Sequence, residues 1–438
     1  MCLSGQVSGM PAVVCFAILE LVKGEPMNTN FVTRYIHGRS LGRTDVHLIL
    51  LALFTALLGR PAAAQPQSRA YVPLAVGRPA FAATPVGGGF RQVTEVTHAG
   101  DERLFVAERA GLVKILHPDG RITPFLDIRH RVISHRGEYG FFDIAFHPGY
   151  ADPASPGYGF FYVSYTTGFD DGVTLYVHFI VSRFRVPADP NVADPASETI
   201  ILYEKQSFDL HKGGGMEFDT RDNMLYVGMG DDRLLLIAQS DRSPKGKIVR
   251  LDVDRVPPNA PSPTILPEEI WAFGLRNPWR FDVDVAGGQI FVGEVGDQQW
   301  EEVNLVPLAV RGFNFGWPCL EGPYVFPETN EVPECQSPWL FKRAIHEYPH
   351  RDNSGRCAVI AGKVNRPAYN PSDGRFVFAD MCTREVFTLA RDTQGAWRRT
   401  LLGVLNTNLI TTIGEDRHGF QYVGTAAEAA PIYRLYIP

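Results

Sequence analysis

RDNMLYVGMGD at residues 221–231 and GGQIFVGEVGD at 287–297 share one pattern. Polar turn residues come first, then a short run rich in aromatic and β-branched residues. Such a run, bounded by turn formers, reads as a β-strand. The pattern recurs as DERLFVAERAGLVKIL (101–116), GYGFFYVSYT (157–166), DGRFVFADMCTREVFTL (373–389) and DRHGFQYVGTAAEAAPIYRLY (416–436), often with a second run behind the first. Six copies at irregular spacing point to a radial β repeat. Radial repetition leaves only short, protected edges. The expectation is an all-β fold, a six-bladed β-propeller. A two-sheet sandwich with chance repeats is the competing architecture, and the chain is long for one ordinary sandwich. In a propeller, the stretches 166–200, 232–265 and 312–356 would be insertions on one face, around a central channel.

Composition agrees. The 438 residues include 42 Gly and 33 Pro, with 45% hydrophobic and 21% charged residues. That suits a turn-rich soluble protein with a large core. The formal charge is −6 and no Lys/Arg run appears, so nothing points to nucleic acid.

The N-terminus reads as a leader rather than fold. Leu48–Gly59 (LILLALFTALLG) is too short for a membrane span of roughly twenty residues. Arg34, Arg39 and Arg43 precede it and RPAAAQ follows, the layout of an export signal cut after Ala64. A buried helix or an uncleaved anchor is the other reading. Residues 1–26 are odd for a signal peptide, and Met27 offers an alternative start. The expected domains are therefore a leader over 1–64 and one propeller over 65–438. Cys319, Cys335, Cys357 and Cys382 lie beyond the leader, and an even count in an exported chain implies disulfides. Three connectivities are open. Nearest-neighbour pairing, which closes two short loops, is preferred, and a metal–thiolate cluster is disfavoured by the spacing.

Several residues have the chemistry of a site. His211 stands before three glycines in FDLHKGGGMEFD, where backbone can approach a ligand closely and an imidazole can act as a base. The same pattern also fits a histidine satisfied by backbone. Glu138, in GEYGFFDIAFHPGY, is a candidate for the channel face, whereas Asp143 and His147 read as structural. Arg276 and Asn277 sit in GLRNPWRF, a turn fixed by Gly274 and Pro278, and the guanidinium offers a planar fork to a carboxylate or a neighbouring acid. Glu294, Asp297, Glu301 and Glu302 bring hard oxygen donors suited to Ca²⁺, without EF-hand spacing.

Taken together, LFVAERAG (104–111), GEYGFFDIAFHPGY, HKGGGMEF (211–218), MLYVGMGD (224–231), GKIVRLDVD (246–254), GLRNPWRFDVD (274–284), GEVGDQQWEEVN (293–304) and GFNFGWPCLEG (312–322) resemble the soluble quinoprotein sugar dehydrogenases, the glucose/sorbosone dehydrogenase family. The resemblance covers roughly residues 80–437. It implies a six-bladed propeller that binds pyrroloquinoline quinone (PQQ) and Ca²⁺. By position it makes His211 the base that takes a sugar hydroxyl proton while hydride passes to the quinone. It implies cofactor contacts from Arg276, Asn277 and Glu138, and from Arg366 with Lys363 close by. It puts the Ca²⁺-binding carbonyls at Gly296 and Asp297, and pairs Cys319 with Cys335 and Cys357 with Cys382. The implied partners are a small sugar or polyol and an external electron acceptor. No nucleic acid and no lasting membrane insertion are expected, and the location is periplasmic or secreted.

The sequence also departs from the family pattern. Leu210 stands where glucose-oxidising members carry an acid, Glu138 replaces a Gln, and LNTNLITTIGED (405–416) lacks an Arg pair on the last blade. Fewer cations imply weaker PQQ binding or another ligand. A non-catalytic propeller binding a glycan or protein is the alternative, and a Ca²⁺-dependent lactonase-like hydrolase is a third.

Overall fold

The computed structural model describes residues 81–170, 173, 175–255, 267–326, 332–350, 354–366 and 374–438. The expected leader, its apolar run and the cut after Ala64 lie outside the described residues.

Six antiparallel blades follow in chain order. A first strand, β1 (Ala82–Phe90), is held back for the end. Blade 1 is β2 (Val93–His98), β3 (Leu104–Glu108), β4 (Leu112–Leu116) and β5 (Ile122–Asp127). Blade 2 is β6 (Phe141–Phe146), β7 (Phe160–Asp170), β8 (Leu175–Arg185) and β9 (Asp194–Gln206). Blade 3 is β10 (Gly213–Asp219), β11 (Met224–Met229), β12 (Lys247–Asp252) and β13 (Ile270–Phe273). Blade 4 begins with β14 (Pro278–Asp284), β15 (Gln289–Glu294) and β16 (Trp300–Pro307). A long insertion follows: β17 (Phe313–Asn314) adds parallel to β13, and β18 (Leu320–Glu321) pairs with β19 (Tyr324–Val325). Blade 4 then closes with β20 (His346–Pro349). Blade 5 is β21 (Val359–Asn365), β22 (Arg375–Asp380), β23 (Glu385–Arg391) and β24 (Trp397–Val404). Blade 6 is β25 (Ile410–Glu415), β26 (Gln421–Thr425), β27 (Ala430–Tyr436) and, as its outer strand, β1. The two ends of the propeller are thus tied into one sheet. The first strands β2, β6, β10, β14, β21 and β25 touch one another in a closed ring around the axis.

The core lies between blades. Among the described residues an apolar cluster fills each of the six gaps. This explains the all-apolar runs that marked the repeat. In β11, Leu225 and Val227 pack toward blade 2 while Tyr226 packs toward blade 4. In β15, Ile290 and Val292 face blade 3 and Phe291 faces blade 5. A sheet buried on both faces has no polar side to alternate with.

Of the expected insertions, 166–200 is largely strand: β7 and β8 run on as one eleven-residue hairpin. Of the stretch 312–356, the part before β20 is an insertion stapled by Cys319–Cys335, whereas β20 belongs to blade 4. Cys357–Cys382 joins the entrance of β21 to the turn between β22 and β23. Both bonds follow the nearest-neighbour connectivity.

Candidate functional site

Each first strand enters the ring from the same face, and the loops before β6, β10 and β14 carry the polar groups of the site. His211 precedes β10 in a left-handed conformation, φ 58°. The glycines behind it are needed for space. A Cβ on Gly214 would lie 2.5 Å from the Phe142 side chain, and one on Gly230 would lie 2.1 Å from the carbonyl oxygen of His211.

His211 Nδ1 lies 2.7 Å from Asp231 Oδ1. That oxygen also accepts the backbone N–H of Arg233 at 2.8 Å, and Oδ2 accepts the indole N–H of Trp317 at 2.8 Å. Both carboxylate oxygens are acceptors, so Nδ1 must carry the hydrogen. Nε2 therefore keeps its lone pair, as a general base requires. Asp231 is fully buried, and its N–H donates to the carbonyl of Arg276 at 2.7 Å.

Asn277 and Glu138 tie three blade entrances together. Asn277 Oδ1 accepts the N–H of Gly213 at 2.9 Å, and its Nδ2 donates to Glu138 Oε2 at 3.3 Å. The same Glu138 oxygen accepts the N–H of Lys212 at 2.9 Å. Lys212 itself turns inward: its ammonium pairs with Asp232 and reaches Gln206 Oε1 at 2.6 Å. Burial acts to raise the Asp232 carboxyl, but the Lys212 and Lys245 ammoniums outweigh it and hold the carboxyl below the usual carboxylate range.

Arg276 is built in from below. Its N–H and that of Asn277 donate to Glu294 Oε1. Its Nη1 donates to the Val295 carbonyl at 3.1 Å and its Nη2 to Asp297 Oδ1 at 2.8 Å, with the guanidinium 5.5 Å from the Trp317 ring centre. Arg276 Nε is buried with no partner.

Gly296 and Asp297 lie in the turn after β15. The N–H groups of Asp297, Gln298, Gln299 and Trp300 converge on Glu321 Oε1 at 2.7–3.1 Å. Asp297 spends its carboxylate on Arg276. Gly296, Glu294, Glu302 and Glu321 line one small cavity under this turn. Oε2 of Glu294 and Oε2 of Glu321 are buried there without partners. Burial raises the Glu294 carboxyl well above its usual range and pushes Glu302 up to about 7. That donor chemistry suits a hard cation, although among the described residues no three such groups stand at ligating positions. Glu301 is elsewhere: it pairs with His350 and accepts the Val359 N–H at 2.9 Å.

The structure does not bring Lys363 and Arg366 to this site. Lys363 lies on β21 and pairs with Glu217 at 2.7 Å, and Arg366 follows β21 and pairs with Asp284 at the exit of β14. Both belong to the opposite end of the channel, because the strand that carries them has already crossed the ring. Expected as cofactor contacts, they stand in this structure as partners of acids at that end, Asp284 buried and Glu217 half-buried. Asp143 and His147 are structural: Asp143 accepts the Met216 N–H at 2.7 Å, and His147 is buried beside Asp254. Asp231, Trp317 and Glu321 were not singled out by sequence. All three lie in quoted motifs, but nothing local shows that Asp231 and Trp317 meet or that Glu321 gathers the turn at 297–300.

Arg276 and Asn277 are the groups that this face would offer to a PQQ-sized anion; the Arg276 Nε–H has no partner but is buried. These residues fit one edge of such a group. The fit is incomplete, since Glu138 adds negative charge and Lys363 and Arg366 are absent from the face.

A toroidal β-propeller with a histidine–carboxylate pair at one mouth of its channel defines the class. A sequence profile described as Glucose / Sorbosone dehydrogenase matches residues 90–434, and the chain belongs to that family. Relatives include human Hedgehog-interacting protein, 34% identical over 47% of this chain and 32% of its own length. HIPL2 protein of Arabidopsis thaliana is 28% identical over 59% of this chain and 44% of its own. Aldose sugar dehydrogenase YliI of Escherichia coli is 26% identical over 42% of this chain and 47% of its own. The chain thus spans less than half the length of each. The PQQ-bound aldose sugar dehydrogenase from Streptomyces coelicolor superposes with a TM-score of 0.62 at 18% identity, over 81% of this chain and 97% of that one. At that identity the likeness is one of fold.

Proposed function

We propose that this chain is an exported PQQ- and Ca²⁺-dependent dehydrogenase of an aldose or a related polyol or aldehyde. The observation that carries the reading is the His211–Asp231–Trp317 relay, which leaves a basic Nε2 at the channel mouth. His211 takes the hydroxyl proton at Nε2. Asp231 steadies the imidazolium that forms. Arg276 and Asn277 hold the cofactor's carboxylate edge, with Glu138 as the wall between them and Lys212. When bound, the quinone supplies the hydride acceptor. The carboxylates around Gly296 supply the cation's surroundings, and two disulfides suit an oxidising compartment. The test is reconstitution of purified protein with PQQ, with and without Ca²⁺, followed by dye reduction across a sugar panel. Sugar-dependent reduction by the reconstituted protein is expected. None with any sugar rejects the reading.

The placement of Lys363 and Arg366 and the carboxylate of Glu138 favour a second reading: a non-catalytic propeller that binds a protein or glycan partner. The similarity to Hedgehog-interacting protein supports the same alternative.

A further inference from the structure

Blade 2 is taller than its neighbours. β7 and β8 pair over eleven residues, while β6 stops pairing with β7 at Phe141–Tyr165. Residues 166–170 and the facing part of β8 therefore rise above the mouth of the channel as a fin. The fin is fixed to the candidate site. Arg136 Nε bonds Asp209 Oδ2 at 2.8 Å and its Nη1 reaches Asp170 at 3.4 Å, so one guanidinium ties the hairpin end to the segment that ends in His211.

One face of the fin is a strip of rings. Phe169 and Tyr176 are cross-strand partners, 55% and 56% exposed. Tyr176 meets His178 edge-on at 4.7 Å, and His178 stacks on Tyr203 at 4.1 Å with 17° between planes. Register puts Thr167 opposite His178, and Lys205 opposite His178 from the other side, so polar groups alternate with the rings. The bordering Arg131 and Arg136 are paired with Glu198 and Asp209, which leaves that border near neutral.

We propose that this face is a stacking platform for an uncharged oligosaccharide whose end unit reaches His211, an inference that rests on the sugar-oxidising reading. The exposed Phe169 and Tyr176 rings, backed by the buried His178 and set near the Thr167 hydroxyl and the Lys205 ammonium, match a pyranose, with its apolar C–H face and polar rim. A lipid surface calls for aliphatic side chains, and a protein partner calls for a wider continuous apolar patch. Glu198, Asp209 and Asp170 offset Arg131 and Arg136, so Lys205 is left as the cation of the strip, too little positive charge to select an anionic glycan.

The test uses the whole protein and calorimetric binding of neutral tetraoses (cello-, malto-, xylo- and manno-) against their monosaccharides. At least one tetraose is expected to bind about tenfold or more tightly than its monosaccharide. Phe169→Ala/Tyr176→Ala should bring that tetraose to the monosaccharide level, with dye reduction on the monosaccharide unchanged. Tyr176→Phe, which keeps the ring, should retain most of the gain and serves as the folded control. His211→Ala should keep tetraose binding. Binding is read without turnover, so a failure of dye reduction alone would reject the dehydrogenase and not the platform. The platform is overturned if no tetraose binds more tightly than its monosaccharide, or if the double variant binds it like wild type.

Discussion

The indole N–H of Trp317 donates to Asp231 Oδ2 at 2.8 Å across 86 residues of sequence, and Asp231 in turn holds His211. The long blade-4 insertion thereby fixes the tautomer of a residue on blade 3. If His211 is the base, His211→Ala should lower turnover by roughly 10²–10⁴-fold while PQQ binding persists. Trp317→Phe keeps the ring but strands one buried acceptor, and about a tenfold loss in kcat is expected from one missing hydrogen bond. Steady-state kinetics on matched, cofactor-loaded samples decide it; a Trp317→Phe enzyme as fast as wild type would show that the relay has no role in turnover.

Arg276 and Arg366 make a direct comparison of the two ends of the channel. Arg276→Ala should weaken PQQ binding by about 1.5–3 kcal/mol, the usual cost of a lost charge-assisted contact. Arg366→Ala should leave it within about twofold, because that guanidinium pairs with Asp284 at the far end. Fluorescence titration of apoprotein with PQQ in excess Ca²⁺ measures both. Equal losses from the two variants would restore Arg366 to the cofactor site.

The repeats were legible because they mark the second strands of blades, which are buried on both faces. The first strands were harder to see. GGGMEFD in β10 and VIAGKVN in β21 carry glycines and charges that line the channel. They lack the all-apolar signature for that reason. His211, Arg276 and Asn277 could be found from their glycine and proline turns. Lys363 and Arg366 could not be placed, because a strand of seven residues spans about 23 Å and carries its far end to the other face. Asp231–Trp317 and the four N–H groups on Glu321 arise only when the insertion folds back, so no local spacing announces them.

The disulfides separate stability from site geometry. Loop closure of this size stabilises by about 3 kcal/mol in the chain-entropy model, over sequence separations of 16 and 25. Cys357→Ser/Cys382→Ser should cost stability alone. Cys319→Ser/Cys335→Ser should cost stability and also turnover, because Cys319 is two residues from Trp317 and two from Glu321. Urea unfolding together with kcat distinguishes them; the same kcat in both double variants would disconnect the insertion from the site.

Glu415 lines the far end of the channel with Glu217 and Lys363. Burial pushes its carboxyl up to about 7, against the pull of Lys363 and with a further push from Glu217. The folded state therefore holds a proton that the unfolded chain gives up near pH 4.3. Between those two values the folded state binds more protons, so stability falls as pH rises through that window. Glu415→Gln removes the ionisation and keeps the shape. The side chain is partly exposed, so the full shift is discounted: the variant should match wild type at pH 4 and be about 1–3 kcal/mol more stable at pH 8. Urea unfolding at the two pH values measures the difference. A variant less stable than wild type at pH 8 would mean that the attraction of Lys363 for an ionised Glu415 exceeds the cost of burying its charge, and would reverse the sign assigned to this residue.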